Sequence, residues 1–319
     1  MVIRLDPRYP LVWRSPDTIQ FGIDRAMLVL PGVTRAQEHV LEALRGGVPR
    51  DGAVMLGRQA GGDPDDIAAF LHALAPVLET TGLESTTPET TALETTALQT
   101  TALGATTLEA TGLETTPPET GPGIVCVDGT GRTADRIRGL LHDLGIATRL
   151  ADDDPDLAVV VGHYVLEPAR HRRWLRRDIP HLPVVFSDGE IRVGPLVEPG
   201  RGPCLYCLEL DRVDADPAWP AMACQLLGRD APTEAARAGI EVATRVAGVV
   251  QDRLDTGRSE LLAASLVFDA HTGEVRRRVH RPHERCGCRS LPENVTVLGE
   301  SAAAGQPSPS SARAASGRA

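Results

Sequence analysis

The chain has 319 residues, of which 42% are hydrophobic, and its 33 basic and 43 acidic residues give a formal net charge of −10. This length suffices for two domains, and the acidic balance argues against generic binding to nucleic acids or anionic membranes. All 33 basic residues are arginine, which excludes a Walker-type phosphate loop, a Schiff-base lysine and a lysine-dependent adenylation site.

The start of the chain and its hydropathy bear on location. Residues 1–6, Met-Val-Ile-Arg-Leu-Asp, lack the basic-then-apolar layout of a signal peptide. There is also no uninterrupted apolar stretch of about 18 residues, so we expect neither secretion nor a membrane-spanning helix. We therefore expect a cytoplasmic protein whose cysteines stay reduced.

Residues 1–78 predict a small domain of strands followed by three short helices, the order of a winged helix. Ile19, Phe21 and Ile23 alternate with polar neighbours and precede the apolar run 27–30, which predicts a β-hairpin.

The three helices are predicted from their caps and apolar stripes. Thr34 and Gln37 have the spacing of a capping box at the start of the first, and Gly46-Gly47 ends it. A middle helix is expected near residues 50–60, and Asp63-Pro64 begins the third. The apolar positions are Val40, Leu41 and Leu44 in the first helix, and Ile67, Leu71 and Leu74 in the third.

The charge of residues 1–78 decides between two uses of a winged helix. The segment carries eight arginines and nine acidic residues, without the cluster of cations that DNA binding requires. The hairpin edge of a winged helix can instead add a peptide as a further strand. We therefore predict a domain that recognises a peptide or protein.

Residues 79–122 are a low-complexity segment in which variants of Glu-Thr-Thr-Ala-Leu repeat every five residues. This period matches neither a helix nor a strand, so no continuous apolar face forms. A pentapeptide-repeat solenoid is disfavoured, because its alanine stands two positions before the central leucine. Here alanine immediately precedes Leu93, Leu98 and Leu103. The segment is predicted to be a disordered linker that tethers the first domain.

A second domain is predicted from residue 123 to residue 299. Four apolar runs separated by helical patterns are typical of buried strands: 124–127, 146–150, 157–161 and 183–186. This strand–helix–strand order predicts a parallel, Rossmann-like α/β sheet.

The first turn of this domain, Gly129-x-Gly131-x-x-Ala134, resembles a phosphate-cradling glycine turn. Its candidate nucleotide-binding residues are Gly129, Gly131 and Arg132. The three acidic residues 152–154 either include one that binds a ribose or, as we favour, belong to a solvated loop. The arginines at 170–177 either bind phosphates or, more commonly for a basic helix, face solvent.

The rest of the domain predicts a long helix and a hairpin. The helix follows Thr233 to about Leu254, and its small apolar positions permit close packing, including between two copies in a homodimer: Ile240, Ala243, Ala247 and Val250. The runs 266–268 and 274–278 predict the hairpin. The final residues, 300–319, are rich in alanine, serine, proline and glycine and predict a disordered tail.

Two cysteine pairs are the most specific motif of the chain. Cys204 and Cys207 are separated by two residues, and Cys286 and Cys288 by one. Pairs at such spacings with a long gap between them favour a structural zinc site that joins two segments. A disulfide is disfavoured in a reducing compartment. His283 could replace one thiolate, although we favour a position beside the site.

Three segments together resemble one protein family: Val193 to Cys207, the turn Asp216-Pro-Ala-Trp-Pro220, and His283-Glu-Arg-Cys-Gly-Cys288. They are similar to ThiF-like (ubiquitin-activating-enzyme-like) proteins of azole- and azoline-peptide biosynthesis, the cyclodehydratase-domain or leader-peptide-binding proteins of bacteriocin pathways. The resemblance covers about residues 123–290. The N-terminal winged helix matches the recognition element for ribosomal precursor peptides that such proteins carry.

The resemblance implies partners, a cofactor and site residues. In that family the winged helix binds a precursor's leader peptide by strand addition, and the ThiF-like domain docks on a YcaO-type enzyme that uses ATP to cyclise cysteine, serine or threonine. The hairpin 18–30 and the helix 63–77 would form the leader groove. The candidate peptide contacts are Ile19, Phe21, Ile23, Leu28 and Leu71, and the Zn²⁺ ligands would be Cys204, Cys207, Cys286 and Cys288.

The chain departs from the adenylating relatives of this family. Those enzymes keep a third glycine, where this chain has Ala134, and use arginine and lysine to contact ATP. The departures argue against ATP use and favour a non-catalytic adaptor that presents a precursor peptide to its modifying enzyme. The alternatives are an ATP-dependent adenylating enzyme that activates a carboxylate, and a zinc-bearing transcriptional regulator that the charge disfavours.

Overall fold

The computed structural model describes residues 1–81, 123–149 and 154–289. These fall into two compact units, Met1–Gly123 and Ile124–Ala319, and each unit is described by itself. Residues 82–122, which make up most of the predicted linker, and the predicted tail at 300–319 lie outside the described residues.

The N-terminal unit combines short strands with three helices in its described part. Its strands are β1 (Val2–Leu5), β2 (Leu11–Ser15), β3 (Thr18–Phe21), β4 (Leu28–Leu30), β5 (Val48–Pro49) and β6 (Leu78–Thr81). Its helices are α1 (Arg35–Gly46), α2 (Arg50–Gln59) and α3 (Pro64–Ala73). The strands form two antiparallel sheets, in the orders β5-β1-β6 and β2-β3-β4.

The caps of α1 and α3 are as predicted. The Thr34 hydroxyl accepts a hydrogen bond from the Gln37 backbone, and the Gln37 side chain accepts one from the Thr34 backbone. Gly47, with a φ of 84°, ends α1. Asp63 accepts hydrogen bonds from the first backbone N–H groups of α3. The predicted apolar positions of both helices are buried in the core of the unit.

The predicted hairpin is confirmed, because β3 pairs with β4 and places Ile19 opposite Leu30. The pairing of β1 with β6 was not predicted. It is supported by an ion pair of 2.8 Å between Arg4 and Glu79, and it carries the unit to Thr81, three residues into the segment predicted as linker. The winged-helix assignment stays a prediction.

The C-terminal unit has one seven-stranded sheet in the order β13-β12-β11-β10-β9-β7-β8. Its strands are β7 (Ile124–Asp128), β8 (Ala147–Arg149), β9 (Leu157–His163), β10 (His181–Phe186), β11 (Glu190–Val193), β12 (Ala264–Asp269) and β13 (Val275–Val279). Its helices are α4 (Arg132–Asp143), α5 (Pro168–Arg176), α6 (Leu205–Ala215), α7 (Trp219–Leu226) and α8 (Ala236–Thr256).

The four strands β8, β7, β9 and β10 are parallel, as predicted from their spacing. The predicted hairpin of β12 and β13 is also confirmed. β11 was not predicted, and it links the two groups by pairing antiparallel with both β10 and β12. The outer strand β13 has the sequence Val-Arg-Arg-Arg-Val, and all five residues are exposed. In the described ranges no helix combines the length and apolarity needed to cross a membrane.

α8 packs along α4 at a close approach. A Cβ added at Gly239 would lie 2.7 Å from the Thr133 hydroxyl, so only glycine fits this contact. Three of the predicted small positions of α8 are buried: Ala243, Ala247 and Val250. The fourth, Ile240, is 54% exposed and does not belong to the buried stripe of α8; its packing against a second copy stays a prediction. At 3.6 residues per turn, Ile240 lies about 100° from the centre of the buried stripe.

Candidate functional site

The structure brings the two predicted cysteine pairs together. The Sγ–Sγ distances are 3.7 Å for Cys204–Cys207, 3.6 Å for Cys204–Cys286 and 3.7 Å for Cys207–Cys288, and all four atoms lie within 4.8 Å of one another. These distances exclude disulfide bonds, which require an Sγ–Sγ distance of about 2.05 Å. A tetrahedral ion with Zn–S bonds of about 2.3 Å places its sulfurs about 3.8 Å apart. The cluster therefore fits one metal ion held by four thiolates.

Two separate segments supply the ligands. Cys204 is the N-cap of α6, and the Cys207 N–H in the first turn donates to the Cys204 carbonyl at 3.0 Å. Gly202 holds a φ of 66°, and a Cβ there would lie 3.0 Å from the Leu262 carbonyl oxygen. Cys286 and Cys288 follow β13. A bound ion would therefore join the start of α6 to the chain that leaves β13.

His283 lies beside the cysteine cluster and is not part of it. Its Nε2 is 2.9 Å from an Asp214 carboxylate oxygen, and the Arg285 guanidinium contacts the other oxygen of the same carboxylate. The hydrogen bond from His283, followed by the charge of Arg285, lowers the pKa of Asp214. This result agrees with the preferred interpretation from the sequence.

The four thiols lie close enough to perturb one another's pKa values. Burial and the neighbouring sulfurs raise the pKa of Cys204, and they raise that of Cys288 to about 12. Burial also raises the pKa of Cys207, but hydrogen bonds, led by that from the His283 backbone, outweigh it and lower the pKa. Four thiolates at these distances repel one another unless a cation compensates their charge, and metal binding displaces their protons.

The predicted glycine turn leads into α4 as expected. Gly131, with a φ of 96°, is the N-cap of α4. A Cβ at Gly129 would lie 2.9 Å from the Val161 side chain, so the turn passes close to β9. Arg132 is exposed at the surface. The N-terminus of α4 is the position at which a helix would bind a phosphate.

A carboxylate of the protein itself lies at that position. Glu234 accepts a hydrogen bond from the Thr133 N–H at 3.1 Å, and a Cβ at Gly131 would lie 3.4 Å from the same oxygen. The other oxygen is 2.8 Å from His163 Nε2, while His163 Nδ1 is 3.2 Å from Asp230. Burial raises the pKa of Glu234, but the hydrogen bonds from Thr133 and His163 outweigh it and lower the pKa. Sequence analysis missed Glu234, which lies 101 residues from Thr133.

The predicted arginine cluster on α5 is partly used inside the protein. Arg170 and Arg173 pair with Asp128 at the end of β7, at 3.0 and 3.1 Å. Arg177 pairs with the exposed Asp154 at 2.7 Å. The remaining two arginines of the cluster, Arg172 and Arg176, are exposed. Asp152 and Asp153 lie outside the described residues.

The structure requires a correction to the predicted peptide contacts. Ile19, Phe21 and Leu71 are at most 1% exposed, so they form the core of the N-terminal unit and cannot contact a peptide. Ile23 and Leu28 are half-buried. Gln20, between Ile19 and Phe21, is also buried, at 3% exposed, so alternation of apolar and polar residues did not indicate which side chains a peptide could reach.

The exposed apolar side chains at this hairpin are Met27, which is 40% exposed, and Val29, which is 42% exposed. They lie just before and within β4, the last strand of the β2-β3-β4 sheet. Within residues 1–81 no strand pairs with the outer edge of β4. This edge therefore offers backbone groups and an apolar side chain to an added strand.

No protein family and no curated protein matches the chain. Among solved structures it is similar to a heterocyclase in complex with substrate and cofactor (17% identity, TM-score 0.43, 93% of this chain and 41% of that one). It is also similar to the heterocyclase TruD, with 18% identity and a TM-score of 0.41 over 93% of this chain and 44% of that one. A third similar structure is the E. coli microcin synthetase McbBCD complex, with 13% identity and a TM-score of 0.36 over 90% of this chain and 99% of that one. The chain spans less than half the length of the two heterocyclases.

Proposed function

We propose that the chain is a non-catalytic adaptor that binds the leader of a ribosomally made precursor peptide. It presents that peptide to a YcaO-type cyclodehydratase for azoline or azole formation. The observation that carries the proposal is the edge of β4, which pairs with no strand within residues 1–81 beyond β3 and carries the exposed Val29. The partner and the chemistry come from the motif resemblance of the C-terminal unit.

A strand added to β4 would find both kinds of contact that peptide recognition needs. Backbone hydrogen bonds along the edge supply affinity, and alternate side chains supply specificity. Val29 faces outward, while Leu28 and Leu30 pack against the core of the unit. An apolar residue of the leader would cover Val29.

The non-catalytic character is supported by the glycine turn. The Glu234 carboxylate lies where a nucleotide phosphate would bind, and its negative charge would repel that phosphate. The rival function, adenylation of a carboxylate, predicts ATP–pyrophosphate exchange by the purified chain. The adaptor predicts no exchange.

We infer that the four-cysteine cluster holds a structural zinc ion. Zinc with four thiolates has no open position for a substrate, so the ion would stabilise the fold of the C-terminal unit. Metal analysis of the purified chain should find about one zinc per chain.

Leader binding is tested with the full chain and a fluorescent leader peptide from the neighbouring precursor gene, by anisotropy. Val29→Glu should weaken binding by about tenfold or more, because a buried valine contributes about 1.5–3 kcal/mol. Met55→Glu is the matched control, since Met55 is 55% exposed on α2 of the same unit. Equal effects of both substitutions, or no binding of the wild type at tens of micromolar with the partner enzyme present, would overturn the proposal.

A further inference from the structure

A cavity in the C-terminal unit lies away from the glycine turn. Its volume is about 110 Å³, and it lies between α6 and the antiparallel half of the sheet. Leu205 and Leu208 of α6, Leu166, and Pro183 and Val185 of β10 form its apolar lining. An apolar cavity of about 150 Å³ binds benzene, so this smaller one has room for a short branched aliphatic side chain.

A hydrogen-bonded pair forms the polar end of the cavity. The Ser265 hydroxyl on β12 is 2.8 Å from His280 Nε2, and Ser265 is 1% exposed. Burial, followed by the charge of Arg278, lowers the pKa of His280 to about 4, so the ring is neutral at pH 7. With the proton on Nε2, the ring donates to Ser265, and the hydroxyl then has its own proton to donate to a ligand.

One of the cations that line the cavity has no ion-pair or hydrogen-bond partner among the described residues. Three arginines and two acids line the cavity: Arg192, Arg212, Arg278, Glu209 and Asp211. Arg212 pairs with Glu209 at 2.8 Å. The Arg278 guanidinium makes no ion pair or hydrogen bond with any described residue. In the ladder Arg278 lies opposite Ser265, so both side chains project from the same face of the sheet.

We propose that this cavity binds a short apolar carboxylate, with the apolar body between α6 and β10 and the carboxylate at Arg278 and Ser265. The ligand is either a free acid or the C-terminal residue of a peptide, which share this chemistry. The cysteine cluster joins two segments that line this cavity, since Cys204 is the N-cap of α6 and His280 precedes Cys286. The proposal does not rest on leader binding, because the residues of this site all belong to the C-terminal unit.

The test titrates the purified, metal-containing full chain with three probes by ligand-observed NMR. N-acetyl-leucine represents a peptide C-terminus, and 4-methylpentanoate represents a free acid. N-acetyl-leucinamide, which has an amide in place of the carboxylate of N-acetyl-leucine, is the uncharged control. We expect saturable binding of at least one acid with a millimolar Kd, and roughly tenfold weaker binding of the amide, because hydrogen bonds to charged groups are the stronger ones. The preferred acid identifies the source of the ligand.

Substitutions of two neighbouring exposed arginines on β13, Arg277 and Arg278, distinguish binding at this site from a general effect of positive charge. Arg278→Gln should abolish the difference between acid and amide. Arg277→Gln should leave it unchanged, because Arg277 lies on the opposite face and donates to the Glu260 carbonyl. Ala215→Phe, at the exposed end of α6, should block the cavity to all three probes. Equal binding of acid and amide, an equal effect of both arginine substitutions, or no saturable binding would overturn the proposal.

Discussion

Replacing Glu234 with glutamine keeps the shape of the side chain at the start of α4 and removes its charge. The carboxylate accepts from the Thr133 N–H at 3.1 Å and lies 2.8 Å from His163 Nε2. A hydrogen bond to a charged group contributes about 1.5–3 kcal/mol, and a carboxylate at a helix N-terminus about 0.3–1 kcal/mol. Glutamine can still accept from Thr133 through its amide oxygen. We therefore expect the free energy of unfolding to fall by about 2 kcal/mol.

Thermal unfolding can measure this loss. For a unit of this size, 2 kcal/mol corresponds to a decrease of about 4–8 °C in Tm. Near-UV circular dichroism follows the unit, because Trp174 and Trp219 are both buried in it. The control is Glu241→Gln, because Glu241 is an exposed glutamate on α8 that pairs with Arg237 at 3.0 Å. This substitution should lower the free energy of unfolding by only a few tenths of a kcal/mol.

The outcome bears directly on the role of the glycine turn. If Glu234→Gln destabilises the chain no more than Glu241→Gln does, the carboxylate does not stabilise the start of α4. Two features would then still argue against nucleotide binding, the absence of lysine and the replacement of the third glycine by Ala134.

Three further results are expected. The folded-state pKa of Glu234 is lowered, so its contribution is complete above its unfolded pKa of about 4.3 and is lost as the pH falls through the lower folded value. In urea titrations, the difference between wild type and Glu234→Gln should therefore shrink progressively as the pH falls below about 4. Asp128→Asn should lower the free energy of unfolding by about 2–3 kcal/mol, because it leaves Arg173 without its charged partner, and urea unfolding tests this. Cys288→Ser should reduce bound metal and Tm, whereas Cys224→Ser, at an exposed cysteine outside the cluster, should change neither; retained metal in Cys288→Ser would contradict the ligand assignment.

Features that are complete within a few residues could be predicted from the sequence. The cap at Thr34 is satisfied by Gln37, and the cap at Asp63 by the next two N–H groups, so short-range patterns identify both. The cysteine pairs have specific spacings, which is why distant segments could be assigned to one cluster. The apolar runs of the parallel strands carry a similarly strong signal, because both faces of such strands are buried.

Features that depend on distant partners could not be predicted. The β1–β6 pairing joins Arg4 to a residue 75 positions away, and a four-residue strand such as β11 has too short a pattern to be distinguished from a loop. The position of Glu234 depends on how α8 packs on α4. The burial of Ile19 and Phe21 depends on which side of the hairpin the helices cover, and alternation alone does not determine that side.

The arginines of β13 have a consequence for aggregation. This strand forms an outer edge of the seven-stranded sheet, and exposed edges template the growth of intermolecular sheets unless charge or shape prevents it. A lysine at such an edge would lose its charge near pH 10.4, whereas a guanidinium keeps its charge above pH 12. Two copies of this edge therefore repel each other in alkaline as well as in neutral solution.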